Sequence, residues 1–167
     1  MMLLSGMTPY DTMAFIWNVG AGKTRGAIEI LKMFDDHFAK YGTIPMIIAK
    51  TSLMDTWKKQ LLLNPRYKTA KLLADDYADT DAGQKDKKSN ETQALKSFFN
   101  LSRQDTLVKE LTGLTDEEII AKYGRVPVMI WDEAQEGRVK SVDNDKVTFK
   151  QMKRLFSLLR GTVKIIL

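Results

Sequence analysis

The chain has 167 residues and a net charge of +5, from 26 Lys and Arg against 21 Asp and Glu; this modest basic excess permits a polyanionic partner without demanding one. At 44% hydrophobic and 28% charged it has the make-up of a globular protein with one substantial core, and no apolar run approaches the ~20 residues of a membrane span. It has no cysteine and one histidine, His37, which excludes disulfides, thiolate metal sites and histidine metal clusters.

Met1 to Gly6 is apolar but short, with neither a basic leader nor a small-residue cleavage site, so no signal peptide is expected. The expected location is the cytoplasm, or the nucleus of a eukaryotic or viral host, rather than a secreted one. Met13 to Asn18 reads as a buried strand ended by glycine. Lys23 to about Lys40 reads as an amphipathic helix, with Ala27, Leu31, Phe34 and Phe38 spaced along one face. Tyr41-Gly42-Thr43 ends it. Pro45 to Ala49 is a second buried strand, followed by the polar turn Lys50-Thr51-Ser52. Leu53 to Leu63 is a helix closed by Asn64-Pro65, because proline disfavours helix in the residue before it.

Lys68 to Leu73 is a candidate strand. The stretch near 74–94 is rich in Asp, Lys, Thr, Ser, Asn and Gln and reads as a polar loop or insertion. Its Lys85, Lys87 and Lys88 sit among Asp81, Asp86 and Glu91, as on a solvated loop. Ser97 to Ser102 is a candidate strand and Arg103 to Leu111 a helix. Thr115 and Glu118 have the spacing of a capping box, which opens a helix to about Tyr123. Val126 to Trp131 is a buried strand running into Asp132-Glu133-Ala134-Gln135. Glu136 to Val147 reads as loop. Thr148 to Leu159 reads as a helix with Met152, Leu155, Phe156 and Leu159 on one side. Gly161 breaks it, and Thr162 to Leu167 is a last strand. Strands alternating with helices imply an α/β fold with a parallel sheet covered on both faces.

Two segments carry chemistry. Gly20-Ala21-Gly22-Lys23-Thr24 lies between an apolar strand and a helix. Glycines let backbone N–H groups turn toward an anion. Lys23 can reach the β/γ-phosphates of a nucleotide, and the Thr24 hydroxyl can hold Mg²⁺. The helix that follows presents its positive end to the same phosphates. The full G-x-x-x-x-G-K-[ST] pattern asks for glycine where Trp17 stands. The second segment is Asp132-Glu133 at a strand tip. In such sheets ligands bind off the carboxyl ends of the strands. Asp132 can hold Mg²⁺, and Glu133 can orient or deprotonate an attacking water.

Asn18 to Thr24 resembles motif I of superfamily-2 helicases and translocases, which often lacks the first Walker glycine. Ile130 to Gln135 resembles their motif II, the D-E-A-D/H box. Met46 to Trp57 resembles motif Ia of Swi/Snf-type translocases, and Phe99 to Leu107 loosely resembles motif Ib. The resemblance runs from about Met13 to Leu167 and implies a RecA-like P-loop lobe that uses ATP and Mg²⁺. It implies a nucleotide site of Gly20, Ala21, Gly22, Lys23, Thr24, Arg25 and Gln135, with Thr24 and Asp132 on the metal and Lys23, Asp132 and Glu133 catalytic. It also implies contacts to a nucleic acid, DNA rather than RNA, from Lys50, Thr51, Ser52, Ser102 and Arg103.

Three departures stand out. Gln135 replaces the usual Asp or His of the box. The adenine-reading glutamine upstream of motif I has no convincing counterpart, since Pro9-Tyr10-Asp11 lies too close to Lys23. Motif III and the second RecA-like lobe do not follow, so the chain, residues 1–167, is expected to be the first lobe of a longer protein. Two other readings remain open: a packaging-motor or other additional-strand P-loop ATPase, and a nucleotide-dependent binding module without catalysis.

Overall fold

In the computed structural model the described residues are 12–14, 22–63, 95–134, 143–161 and 164–166. In chain order they form β1 (Thr12–Met13), α1 (Lys23–Lys32), α2 (Asp35–Tyr41), β2 (Met46–Ala49), a 3-10 turn (Thr51–Leu53), α3 (Met54–Leu63), β3 (Asn100–Arg103), α4 (Gln104–Gly113), α5 (Asp116–Tyr123), β4 (Val128–Trp131), α6 (Asp143–Leu158) and β5 (Lys164–Ile166). The strands make one sheet in the order β1-β5-β4-β2-β3, and every adjacent pair is parallel. The expected α/β fold, a parallel sheet with helices on both faces, is the one that forms.

The two central apolar runs explain why. All four residues of β2 and all four of β4 are buried, as strands covered on both faces must be. Successive side chains point to opposite faces. Ile47, Ala49, Val128 and Ile130 join Ala27, Leu31, Trp57 and Leu61 in one core. Met46, Ile48, Met129 and Trp131 join Leu107, Leu111, Ile119, Met152 and Leu155 in the other. Register keeps the faces matched, with Ile47 opposite Ile130 and Ile48 opposite Trp131. α1 and α3 therefore cover one face, and α4, α5 and α6 the other.

Several boundaries differ from the expectations. The helix expected over 23–40 is two helices. Met33 and Phe34 donate to Ile30 O and Leu31 O at 3.0 Å each, a tightened i→i−3 turn, and α2 restarts with Phe34 as its cap residue. The apolar face survives this break: Ala27, Leu31 and Phe34 are buried, and Phe38 packs against them. Gly42 ends α2 at φ 60°, ψ 31°. Residues 97–99 are not strand, because Phe98 and Phe99 donate to Leu95 O at 3.0 and 2.9 Å, which holds them in a turn. α6 starts at Asp143, so 143–147 is helix where loop was expected. Of the strand expected over 13–18, Met13 is in β1, Ala14 lies outside it, and 15–18 fall outside the described residues. The Asn64-Pro65 stop, the strand at 68–73 and the polar stretch near 74–94 also fall outside them.

The capping box forms as expected. Thr115 N–H donates to Glu118 Oε2 at 2.8 Å, and Glu118 N–H to Thr115 Oγ1 at 3.3 Å. Thr115→Ala leaves one of these N–H groups without its partner and is expected to lower unfolding stability by about 1 kcal/mol. Urea denaturation of the two proteins would show it, and equal midpoints would count against the cap's contribution.

Candidate functional site

α1 begins where the sequence passes from glycine to Lys-Thr. Gly22 sits at φ 78°, ψ 32° just ahead of the first turn, a left-handed conformation that costs an L-residue about 1–2 kcal/mol. A Cβ built on Gly22 would meet nothing within 4 Å, so this backbone borders open space. The first turn of α1 holds no acidic residue. Its N–H groups, the positive end of the helix and the side chains of Lys23 and Arg25 together suit an anion.

Opposite stands the tip of β4. Asp132 N–H donates to Ile48 O at 2.9 Å, carrying the β4–β2 pairing one residue past the strand. Glu133 then turns to φ 59°, the only positive φ of a non-glycine among the described residues. Strain of this kind costs roughly 1–3 kcal/mol and collects at functional sites. Lys23 Nζ lies 3.5 Å from Glu133 Oε1, with both side chains about a quarter to a third exposed. A cleft of about 430 Å³ is lined by Gly22 and, from the start of α1, Lys23, Thr24 and Arg25, by Asp132 and Glu133, by Leu53 of the 3-10 turn, and by Thr56 and Gln60 of α3.

The donor set fits a phosphate with a hard cation. Lys23 and the α1 N-terminus suit the anion, while the Thr24 hydroxyl and the Asp132 carboxylate are oxygen donors of the kind Mg²⁺ takes. Among the described residues no group of three or more His, Cys, Asp or Glu is placed to hold a metal ion. A cation in this cleft would therefore share its ligands with phosphate and water, as Mg²⁺ commonly does.

Two indoles brace the tip. Trp57 Nε1 donates to Asp132 Oδ2 at 2.7 Å, and Trp131 Nε1 donates to Gln104 Oε1 at 2.8 Å. Sequence reasoning had Trp57 only as a marker of motif Ia and missed Thr56, Gln60 and Gln104. Thr56 and Gln60 are four apart on α3, hence on one face, which was a legible signal. The Trp57–Asp132 bond spans 75 residues and left no local trace.

Of the expected site residues, Gly22, Lys23, Thr24, Arg25, Asp132 and Glu133 meet in the cleft. Gly20, Ala21 and Gln135 lie outside the described residues. Lys50, Thr51 and Ser52 follow the carboxyl end of β2, and Ser102 and Arg103 end the neighbouring β3, where Ile48 pairs with Ser102 and Ala49 with Arg103. Thr51, Ser52 and Arg103 are exposed. None of these five lines the cleft, so they form a separate group on the same edge of the sheet.

Fold and cleft together define an α/β protein with a parallel sheet in which β5 lies between β1 and β4, an arrangement consistent with a RecA-like P-loop fold. The chain is similar to "Putative helicase 009L" of Frog virus 3 (isolate Goorha), at 25% identity over 169 residues, covering 98% of this chain. It spans 17% of the length of that curated relative. No protein-family model matches the chain. No solved structure matches it either. Among the described residues no helix is long and apolar enough to cross a membrane.

Proposed function

We propose that this chain is the ATP-binding lobe of a superfamily-2 helicase or nucleic-acid translocase. One observation carries the reading: Gly22-Lys23-Thr24 and Asp132-Glu133, more than a hundred residues apart, line a single cleft. The similarity to a helicase-named viral protein across nearly the whole chain favours this reading over a packaging motor or a module without catalysis.

In this reading Lys23 and the backbone N–H groups from Gly20 to Thr24 grip the phosphates, with Arg25 and Gln135 beside them. Thr24 and Asp132 hold Mg²⁺, which when bound neutralises charge on the phosphate oxygens. Glu133 accepts a proton from the attacking water. The water oxygen bonds to the γ-phosphorus, the bond to the β–γ bridging oxygen breaks, and ADP and phosphate leave. Lys50, Thr51, Ser52, Ser102 and Arg103 touch the backbone of a nucleic acid, DNA rather than RNA. Such contacts position a strand without reading its sequence. A second RecA-like lobe would supply an arginine finger, worth about 10³–10⁵ in rate in related enzymes.

Titration of the full chain with a fluorescent ATP analogue in Mg²⁺, chased with unlabelled ATP, tests this. Saturable binding is expected, and Lys23→Ala should weaken it about 10–100-fold, the worth of a hydrogen bond to a charged group. No binding by the unaltered protein at millimolar nucleotide would overturn the reading.

A further inference from the structure

We propose that Trp57 is a positioning residue for Asp132: its indole N–H holds the carboxylate from behind the cleft and so sets the affinity for the divalent cation that accompanies the nucleotide. This rests on the nucleotide reading above.

The two residues have different exposures. Trp57 is 1% exposed and does not line the cleft, whereas Asp132 does. The bond between them is 2.7 Å long, at the short end for N–H···O and typical of a carboxylate acceptor. It reaches Asp132 from the protein side and leaves the other lone pairs of the carboxylate for the cleft, since a carboxylate has about four acceptor positions.

The chemistry of the donor matters as much as its place. An indole offers one N–H, no acceptor and no charge. A lysine or arginine here would also orient Asp132, but its positive charge would oppose a divalent cation on the same carboxylate. A neutral donor fixes direction and leaves the full negative charge for the metal. The indole plane is itself held by its core neighbours, as Trp57 packs among Ala27, Leu31, Met54 and Leu61. The helix that carries it also turns Thr56 and Gln60 toward the cleft, so one rigid element sets the carboxylate and one wall together. Partners that orient a metal ligand in this way commonly change metal affinity about 10–100-fold when removed.

Trp57→Phe in the full chain keeps an aromatic ring in the core and deletes the N–H. Binding of the fluorescent ATP analogue is measured across a Mg²⁺ series, with far-UV circular dichroism to report folding. The Mg²⁺ concentration for half-maximal stimulation should rise about 10–100-fold, with nucleotide affinity in the absence of metal unchanged. A folded Trp57→Phe protein with the parent's Mg²⁺ requirement would overturn the positioning role and leave the nucleotide site standing. If the unaltered protein shows no Mg²⁺-stimulated binding, the nucleotide reading itself is what fails, and the role of Trp57 falls with it. Should Trp57→Phe not fold, ¹⁵N-indole spectra of the unaltered chain decide. The Trp57 signal is assigned by through-bond correlation of its indole to its own backbone. It should move when Mg²⁺ is added to the nucleotide-bound protein, and a stationary signal would overturn the proposal.

Discussion

Glu133→Gln is expected to slow single-turnover ATP hydrolysis by about 10²–10⁴-fold, the usual contribution of a positioned general base, while MgATP binding changes little. Glutamine keeps the length and hydrogen-bonding reach of the side chain but cannot take the proton. The backbone gives a second variant with the same kinetic outcome and little expected effect on stability. Glu133 sits at φ 59°, which costs an L-residue about 1–2 kcal/mol. Glycine adopts that conformation freely, at an entropic cost of about 0.5–1 kcal/mol. The ion pair with Lys23, 3.5 Å long and partly exposed, is worth about 0–1 kcal/mol. Glu133→Gly should therefore stay within about 1–1.5 kcal/mol of the parent in stability, and yet lose hydrolysis. Turnover by Glu133→Gln at the parent's rate would remove Glu133 from the chemistry. A Glu133→Gly protein that melts well below the parent would remove the strain from this account.

The residues that sequence alone could place are those whose signal is local. β2 and β4 read as strands because burial on both faces makes them unbroken apolar runs. The capping box of α5 needs only Thr115 and Glu118. The break between α1 and α2 was hidden because Ala27, Leu31, Phe34 and Phe38 keep helical spacing straight through it, and periodicity reports a face rather than a continuous hydrogen-bond ladder. The first turn of α6 was hidden for the opposite reason: Asp143-Asn144-Asp145 is polar, like a loop, but polar and acidic residues also suit a helix start. At the site, motif order brought out Lys23, Thr24, Asp132 and Glu133. The brace from Trp57 depends on how α3 packs beside β4, a property of the assembled core that no spacing encodes.

Arg154→Ala is expected to lower unfolding stability by about 2–3 kcal/mol, or roughly 4–12 °C in melting temperature for a domain of this size, without weakening nucleotide binding by the folded protein. Arg154 projects from α6 and closes the junction between α4 and α5. Its Nη1 donates to Leu111 O and its Nη2 to Leu114 O, each at 2.9 Å, and its Nε donates to Asp116 Oδ1 at 2.7 Å. Leu111 belongs to the last turn of α4, where carbonyls lack partners within the helix and a cation complements the helix dipole. The ion pair to Asp116, which is half exposed, contributes only about 0–1 kcal/mol. Most of the loss comes from two carbonyls deprived of a charged donor. Arg154→Lys should recover less than half of it, because one ammonium cannot span both carbonyls and the carboxylate as a planar guanidinium does. The clamp lies over the core face of α4, α5 and α6, where Leu111, Met152 and Leu155 pack beneath β4, while the cleft is built from α1, α3 and the tip of β4. Stability and binding should thus separate: Arg154→Ala moves only the first, and Glu133→Gln only the chemistry. An Arg154→Lys protein as stable as the parent would show that charge alone, rather than the fork, holds this junction.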